Sequence, residues 1–344
     1  MKSSSTELSP YSLRRRRRQR THFLVTGALI VGAIVVALLD VSLGHEVYGL
    51  NDIFAALNGS APGGTAFSIM QLRMPRALVA MICGAGFGIA GYSFQTLLGN
   101  VLASPDIIGI TAGANVAAVA SITVFGLSGT ALFGVAVGGG LVTACAVIAL
   151  SWRNGLLGTR FVLVGIGVAS LLNAVTSWLM IRADQWDVQT ATRWLTGSLA
   201  DASWSDVAPA GISVAVGYLC LATMAHTLDV LRLGTYTATG LGVRVNRARI
   251  VIVVVSVIML SIVTATTGPI AFVSFLSGPI AARLLGNHRP SIAASGAIGS
   301  IIVVLADIIA QHLASGHVPV GVMTSLVGGP VLVILVAGVL RKGV

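Results

Sequence analysis

Long uncharged, apolar runs alternate along this chain with short polar breaks, and the spacing of the breaks sets the elements. A helix crossing a bilayer needs roughly 20 mostly apolar residues. Runs of that size fall near 23–43, 74–95, 102–122, 129–151, 160–181, 208–227, 250–267, 291–312 and 320–340, with a shorter one at 270–282. The pattern predicts an all-α polytopic membrane protein of about ten transmembrane helices. Its organisation reads as a basic tail over residues 1–22, then a single transmembrane domain over 23–344. The longest connection after the tail, about 228–249, mixes helix-compatible residues with glycines and ends in a basic cluster, which predicts one or two short helices beneath the membrane. It reads either as a basic interfacial helix or as a docking element for a cytoplasmic motor.

Composition removes the soluble alternatives. Of the 344 residues 55% are hydrophobic and 9% charged, with a mean hydropathy of +0.92; a soluble domain carries about 25% charge. The net charge of +10 raises nucleic acid or a membrane surface as partners, and the placement of the basic residues decides for the membrane. Seven of the 21 precede residue 21, including Arg14 to Arg18, directly before an apolar run. Phe23 to Leu43 exceeds the roughly 7–15 residues of a signal-peptide core, so it reads as the first span. With the N-terminus inside, 17 of the 21 basic residues fall in cytoplasmic segments, among them Arg153, Arg232, Arg244, Arg247, Arg289, Arg341 and Lys342. That bias orients the chain in an inner (plasma) membrane with both termini cytoplasmic.

Four arginines break the bias: Arg73, Arg76, Arg182 and Arg193 fall outside, where Asp40, Glu46, Asp52, Asp184, Asp187, Asp201 and Asp206 also gather. Arg73 and Arg76, in LRMPRAL, lie three residues apart and share one face of a helix start. There they oppose both the topological bias and the positive end of the helix dipole. They are either snorkelling anchors or an outward cationic patch for an acidic partner.

Inside the membrane, Gly84, Gly86, Gly88 and Gly91 spell GxGxxG, but no strand precedes them and a dinucleotide-binding unit does not fit in lipid. Gly84, Gly88, Gly91 and Gln95 instead line one helix face, a small-residue stripe for close packing. GNVLASPDIIGITAGANVA then interrupts the apolar sequence around Pro105. Broken helix at membrane depth is tolerated only in a protein interior or beside water, so Gln95, Asn100, Ser104 and Asp106 should face a cavity or interface. Asp307 is the other ionisable group well inside a span; it is either a functional acid or a partner for a neighbouring helix. Cys83, Cys145 and Cys220 have no CxxC spacing and the six His no ligand spacing, so no metal is assigned. A P-loop needs GxxxxGK[ST], and the only lysines, Lys2 and Lys342, lack that setting. No general acid–base pair or activated nucleophile emerges, so the chain is read as non-enzymatic with no catalytic residue.

These residues, in their order and spacing, resemble the FecCD family of permeases of siderophore, haem and vitamin B12 importers. The stretches that carry the resemblance are LRMPRALVAMICGAGFGIAGYSFQTLLGNVLASPDIIGITAGA, RWLTGSLADASW, LGTYTATGLGV, GPIAFVSFL, ARLLGNHRP, and ADIIAQ followed by VPVGVMTSLVGGP. SWRNG with RFVLVGIGV looks especially like ferric-enterobactin permease subunits. The resemblance implies a type II ABC importer permease fold of ten helices, paired with a second permease subunit around a central pathway. It implies two ATPase subunits below, which hold the ATP and magnesium while this chain binds no cofactor, and an extracytoplasmic siderophore-binding protein above. By the same resemblance Arg73 and Arg76 receive acidic residues of that binding protein. Leu233, Gly234, Gly240, Leu241, Gly242 and Val243 fall on the ATPase-coupling loop. The fifth span, Val162 to Trp178, matches the pathway-lining helix, giving Gly165, Gly167, Ser170, Asn173 and Thr176 as lining residues, with Gln95 beside them.

Some positions depart from the family pattern. Gln311 stands where many members have arginine, His317 where an acid is usual, Asn100-Val101 replaces Asn-Pro, and Ser274 to Ile280 reads SFLSGPI. They favour one half of a heterodimer, with a homodimer still open. Two other classes remain: an ion-coupled secondary transporter, for which only Asp106 and Asp307 are available as coupling acids, and a non-transporting scaffold.

Overall fold

The chain enters the membrane through α1 (Pro10–Ser42), whose 33 residues rise about 50 Å at 1.5 Å each. This computed structural model describes residues 10–44, 46–101, 103–152, 158–286, 291–312 and 318–340. The readings of Lys2, Arg153, Arg289, His317, Arg341 and Lys342 lie outside the described residues. α1 runs unbroken through residue 22, so tail and first span share one helix from Pro10.

After α1 come the short α2 (Leu50–Leu57) and α3 (Gly63–Phe67), a π-helical turn (Ser68–Arg73) and α4 (Met74–Leu98). Gly99 stops α4 in the left-handed region at φ 61°, where its N–H takes up carbonyls of the last turn. The expected span from residue 102 begins later, because Pro105 and Gly109 (φ 88°) bracket a 3-10 turn, Pro105–Ile108, and α5 (Ile110–Phe125) follows it. Next are α6 (Gly129–Ser151), α7 (Gly158–Arg182) and α8 (Gln185–Leu195). The span expected at 208–227 is α9 (Trp204–Thr223), started earlier by Asp206, which accepts the Ser203 N–H at 2.9 Å. The connection expected to hold one or two short helices contains α10 (Ala225–Leu231) and α11 (Thr235–Gly240). Then follow α12 (Val245–Thr267), the half-length α13 (Val273–Leu284), α14 (Ile292–His312) and α15 (Val320–Leu340). Among the described residues there is no strand. Among the described residues, seven helices are long and apolar enough to cross a membrane, and three shorter apolar ones (α5, α13 and most of α15) bring the set to ten.

The core gathers around α4, which packs on α14, α13, α12 and α9. In its membrane window 78% of residues are buried, against 11% for α7. The glycine stripe is the cause. A Cβ on Gly84 would fall 2.5 Å from the carbonyl oxygen of Gly299; on Gly88 it would strike that of Ser295, and on Gly91 that of Ser274. Bare backbone thus meets bare backbone along the α4–α14 and α4–α13 seams, the close approach that small residues permit in lipid. Gln95 continues the face and donates its Nε2 to Phe275 O at 2.9 Å.

Candidate functional site

Of the four arginines that opposed the charge bias, Arg73 and Arg76 are both engaged within the subunit. Arg73, at the end of the π-helical turn, donates Nη1 to the carbonyls of Val41 (3.1 Å) and Ser42 (3.2 Å) and Nη2 to that of Glu46 (2.8 Å), and lies 4.4 Å over the Tyr48 ring. Gly44 makes room, since a Cβ there would fall 2.5 Å from the guanidinium carbon. Three residues on, Arg76 forks onto Asp307, Nε to Oδ2 at 2.8 Å and Nη2 to Oδ1 at 2.7 Å. The Asp307 side chain is fully buried and that of Arg76 is 25% exposed. Gln311, one turn beyond Asp307, gives its amide to Asp307 Oδ2 (2.9 Å) and Asp40 Oδ1 (3.2 Å).

The cluster ties α1, α4 and α14 together at one end of the bundle. Planar guanidinium and carboxylate match in two parallel bonds, a strong charge-assisted arrangement. Asp307 balances Arg76, so that part of the positive charge once available to an outside acid is spent within. Arg73 is the exception, because backbone carbonyls satisfy its N–H groups without supplying a countercharge. Gln311, read from the sequence only as a missing arginine, joins the cluster as a neutral amide that donates to two carboxylates at once. Sequence reasoning put Asp40 on the outer side but gave it no part in the cluster, and it missed Tyr48; an acid inside the last turn of an apolar span was the available signal for Asp40, which is buried.

The lining set divides along α7. Gly167, Ser170 and Asn173 lie on an exposed face that continues to Ser177, while Leu163, Ile166 and Trp178 are exposed beside it. Ser170 and Ser177 satisfy their hydroxyls on the carbonyls of Ile166 and Asn173, so the helix needs no neighbour for them. Gly165 and Thr176 are buried instead; the Gly165 carbonyl lies against Gly109 beside α5, and Thr176 bonds back to Leu172 O at 3.1 Å. Gln95 is buried against α13, away from that face.

A cavity of about 670 Å³ opens between the 3-10 turn, α5, the end of α8, the α12–α13 turn and α15. Its polar wall carries Ser104, Asp106, Thr111 and Asn115, and its apolar wall Ile270, Phe272, Phe275 and Leu332. The broken segment thus lines a cavity, as non-helical backbone at membrane depth requires. Asp106 is held in place: Thr111 donates to Oδ1 at 2.7 Å and Ser104 to Oδ2 at 3.0 Å. Phe272 is the one non-glycine with positive φ (66°) among the described residues, and no sequence signal marked it. Its side chain fills the place a side chain on Gly328 would need, with a Cβ there 2.5 Å from Phe272 Cβ.

At the opposite end, α10 and α11 form a small hairpin. Gly234 (φ 97°) and Gly242 (φ 83°) bracket α11 with conformations that favour glycine. Leu233, Tyr236 and Leu241 stand out, Tyr236 at 94% exposure. Gly240 and Val243 complete this knob, and the buried Ala238 anchors it. A smaller cavity of about 260 Å³ lies behind it, between Arg232, Tyr92, Gln95 and Pro279.

Known proteins share this chain's sequence and fold over nearly its whole length. A sequence model of the FecCD transport family matches residues 29–338. The ferric enterobactin transport system permease protein FepG of Escherichia coli (strain K12) is 34% identical over 321 residues, 93% of this chain and 97% of that protein. The iron(3+)-hydroxamate import system permease protein FhuG of Bacillus subtilis (strain 168) is 31% identical over 321 residues, 90% of this chain and 95% of that one. Among solved structures, a metal-chelate type ABC transporter in an inward-facing conformation superposes with a TM-score of 0.83 at 25% identity, covering 91% of this chain and 99% of that chain.

Proposed function

Because this chain belongs to the FecCD transport family, we propose that it is the permease subunit of an ABC importer that carries ferric siderophores across the inner membrane. The observation that carries this reading is near-full-length similarity to permeases of ferric enterobactin and ferric hydroxamate import. The geometry adds support. α7 is a span with most of its surface uncovered and a polar row, Ser170–Asn173–Ser177, down one side. The two serines are satisfied on their own helix, but the Asn173 amide is costly in lipid; beside a second permease subunit the row forms half of an aqueous pathway, with Gly167 on the same face.

The remaining parts follow from this role. The free energy comes from two ATPase subunits that bind ATP and magnesium and grip the knob of Leu233, Tyr236 and Leu241. An extracytoplasmic binding protein delivers the chelate at the Arg73 end, with both termini of the chain in the cytoplasm. The docking role narrows to Arg73, whose charge is not spent on a carboxylate in contact, while Arg76 serves the Asp307 clamp. The second permease subunit is a different chain, because Gln311 replaces a cation that its partner can still supply.

Ion coupling is the weaker reading. Its two acids are committed, Asp307 to Arg76 and Asp106 to two hydroxyls. The deciding experiment reconstitutes the permease pair with its ATPase and measures iron-55 siderophore uptake into proteoliposomes. Uptake should require ATP hydrolysis and survive collapse of the proton gradient; the reverse pattern would overturn the proposal.

A further inference from the structure

The unusual length of α1 leaves a basic rod outside the membrane. The hydrocarbon core is about 30 Å thick, some 20 helical residues, and Phe23–Ser42 supplies that length. The helix nevertheless starts at Pro10, so Arg14 to Arg18 and Arg20 ride on a helical extension continuous with the span.

The sequence offers this rod few countercharges. Of the 11 acidic residues, only Glu7 and Asp229 fall in segments on this side of the bundle. Five successive residues also step around more than one full turn of a helix. The five backbone positions therefore go around the helix axis and do not share one face. The position of α1 points the same way. It packs on α14, α4 and the π-helical turn at the edge of the bundle, and Phe23 (76%), Leu24 (73%) and Val31 (59%) are exposed along it. A rod emerging from a lipid-facing helix is surrounded by headgroups. Reach is sufficient: Arg14 lies roughly 13 Å beyond Phe23 at 1.5 Å per residue, the headgroup layer fills about 5–7 Å of that, and the screening length is about 8 Å.

We propose that the α1 extension, Arg14 to Arg20, is a docking site for the anionic phospholipids of the cytoplasmic leaflet and is held helical by them. Like charges three and four residues apart destabilise an isolated helix; phosphate groups around the rod remove that repulsion. The proposal rests on α1 being a membrane span and on neither the cargo nor the ATPase, so it stands or falls apart from the transport reading.

The test places the full-length permease in nanodiscs of phosphatidylcholine alone or with about 30% phosphatidylglycerol and follows hydrogen exchange over residues 10–22. Exchange should slow by about tenfold or more with the anionic lipid, because each basic residue near such a surface is attracted to it. The protection should vanish in about 1 M salt and in the variant carrying Arg14→Gln through Arg18→Gln, and persist with lysines at the same five positions. The other basic residues keep both variants correctly inserted, which labelling of the loops verifies. Equal exchange in the two lipids would overturn the proposal, as would protection that appears only when the ATPase is added.

Discussion

The Arg76–Asp307 fork yields the most demanding prediction, because stability and docking readouts separate there. Arg76→Met strands the buried Asp307 carboxylate, leaving it the Gln311 amide as donor. Asp307→Leu strands the guanidinium. Opening a buried ion pair costs roughly 3–5 kcal/mol; with a quarter of the Arg76 side chain exposed to water, about 2–4 kcal/mol is expected for each single variant. Replacing both partners by apolar groups of similar volume removes the unpaired charge, so the double variant should return to within about 1–2 kcal/mol of the parent. The interaction energy is then about 2–7 kcal/mol, from within to above the roughly 0.5–3 kcal/mol usual for groups in contact. Unfolding of the purified subunit in mixed dodecyl maltoside–SDS micelles, followed by circular dichroism, measures all four corners of the cycle. Losses that simply add in the double variant would refute the clamp. The same protein then reports on docking: a refolded double variant that still recruits the binding protein confines Arg76 to a structural role, whereas one that is stable yet silent returns it to the docking surface.

Arg73→Gln should weaken binding-protein affinity for the nanodisc-embedded importer by about 0.2–1 kcal/mol, under about sixfold, as an exposed ion pair would; unchanged affinity with intact folding would remove Arg73 from docking. Gly91→Ala drives a methyl into Ser274 O and should cost about 1–3 kcal/mol in the same micelle titration. Gly134→Ala, with open space around it, should stay within about 0.5 kcal/mol of the parent. Cysteine at Asn173 should crosslink to the second permease subunit and react with water-soluble thiol reagents only from the aqueous pathway, and reactivity confined to lipid-soluble reagents would place that face in the bilayer. Cysteine at Val243 should crosslink to the ATPase, and silence there and at Gly242 together would argue against coupling through this knob.

Periodicity and charge made most of the fold legible, because lipid enforces long uncharged runs and leaves little freedom between them. The least accurate start, at 102 rather than Ile110, arose where apolar residues hide a 3-10 turn made by Pro105, Asp106 and Gly109. The glycine stripe was legible for a similar reason, since helical spacing alone puts Gly84, Gly88 and Gly91 on one face. Pairing was not legible. Arg76 and Asp307 each stood out as a misplaced charge, yet they lie 231 residues apart, and no local rule reveals that two anomalies satisfy each other. The lining set suffered from the same blindness to neighbours: α7 shows which of its sides faces α5 only once α5 is in place, and Gly165 and Thr176 turn inward.

Backbone-to-backbone contact along α4 has a mechanical consequence. Helices separated by side chains can slide as those chains change rotamer, but Gly84 against Gly299 and Gly91 against Ser274 leave nothing to re-form. The trio of α4, α13 and α14 therefore behaves as a stator. Opening and shutting of the route then falls to elements packed less closely, α7 foremost, with 11% of its membrane window buried.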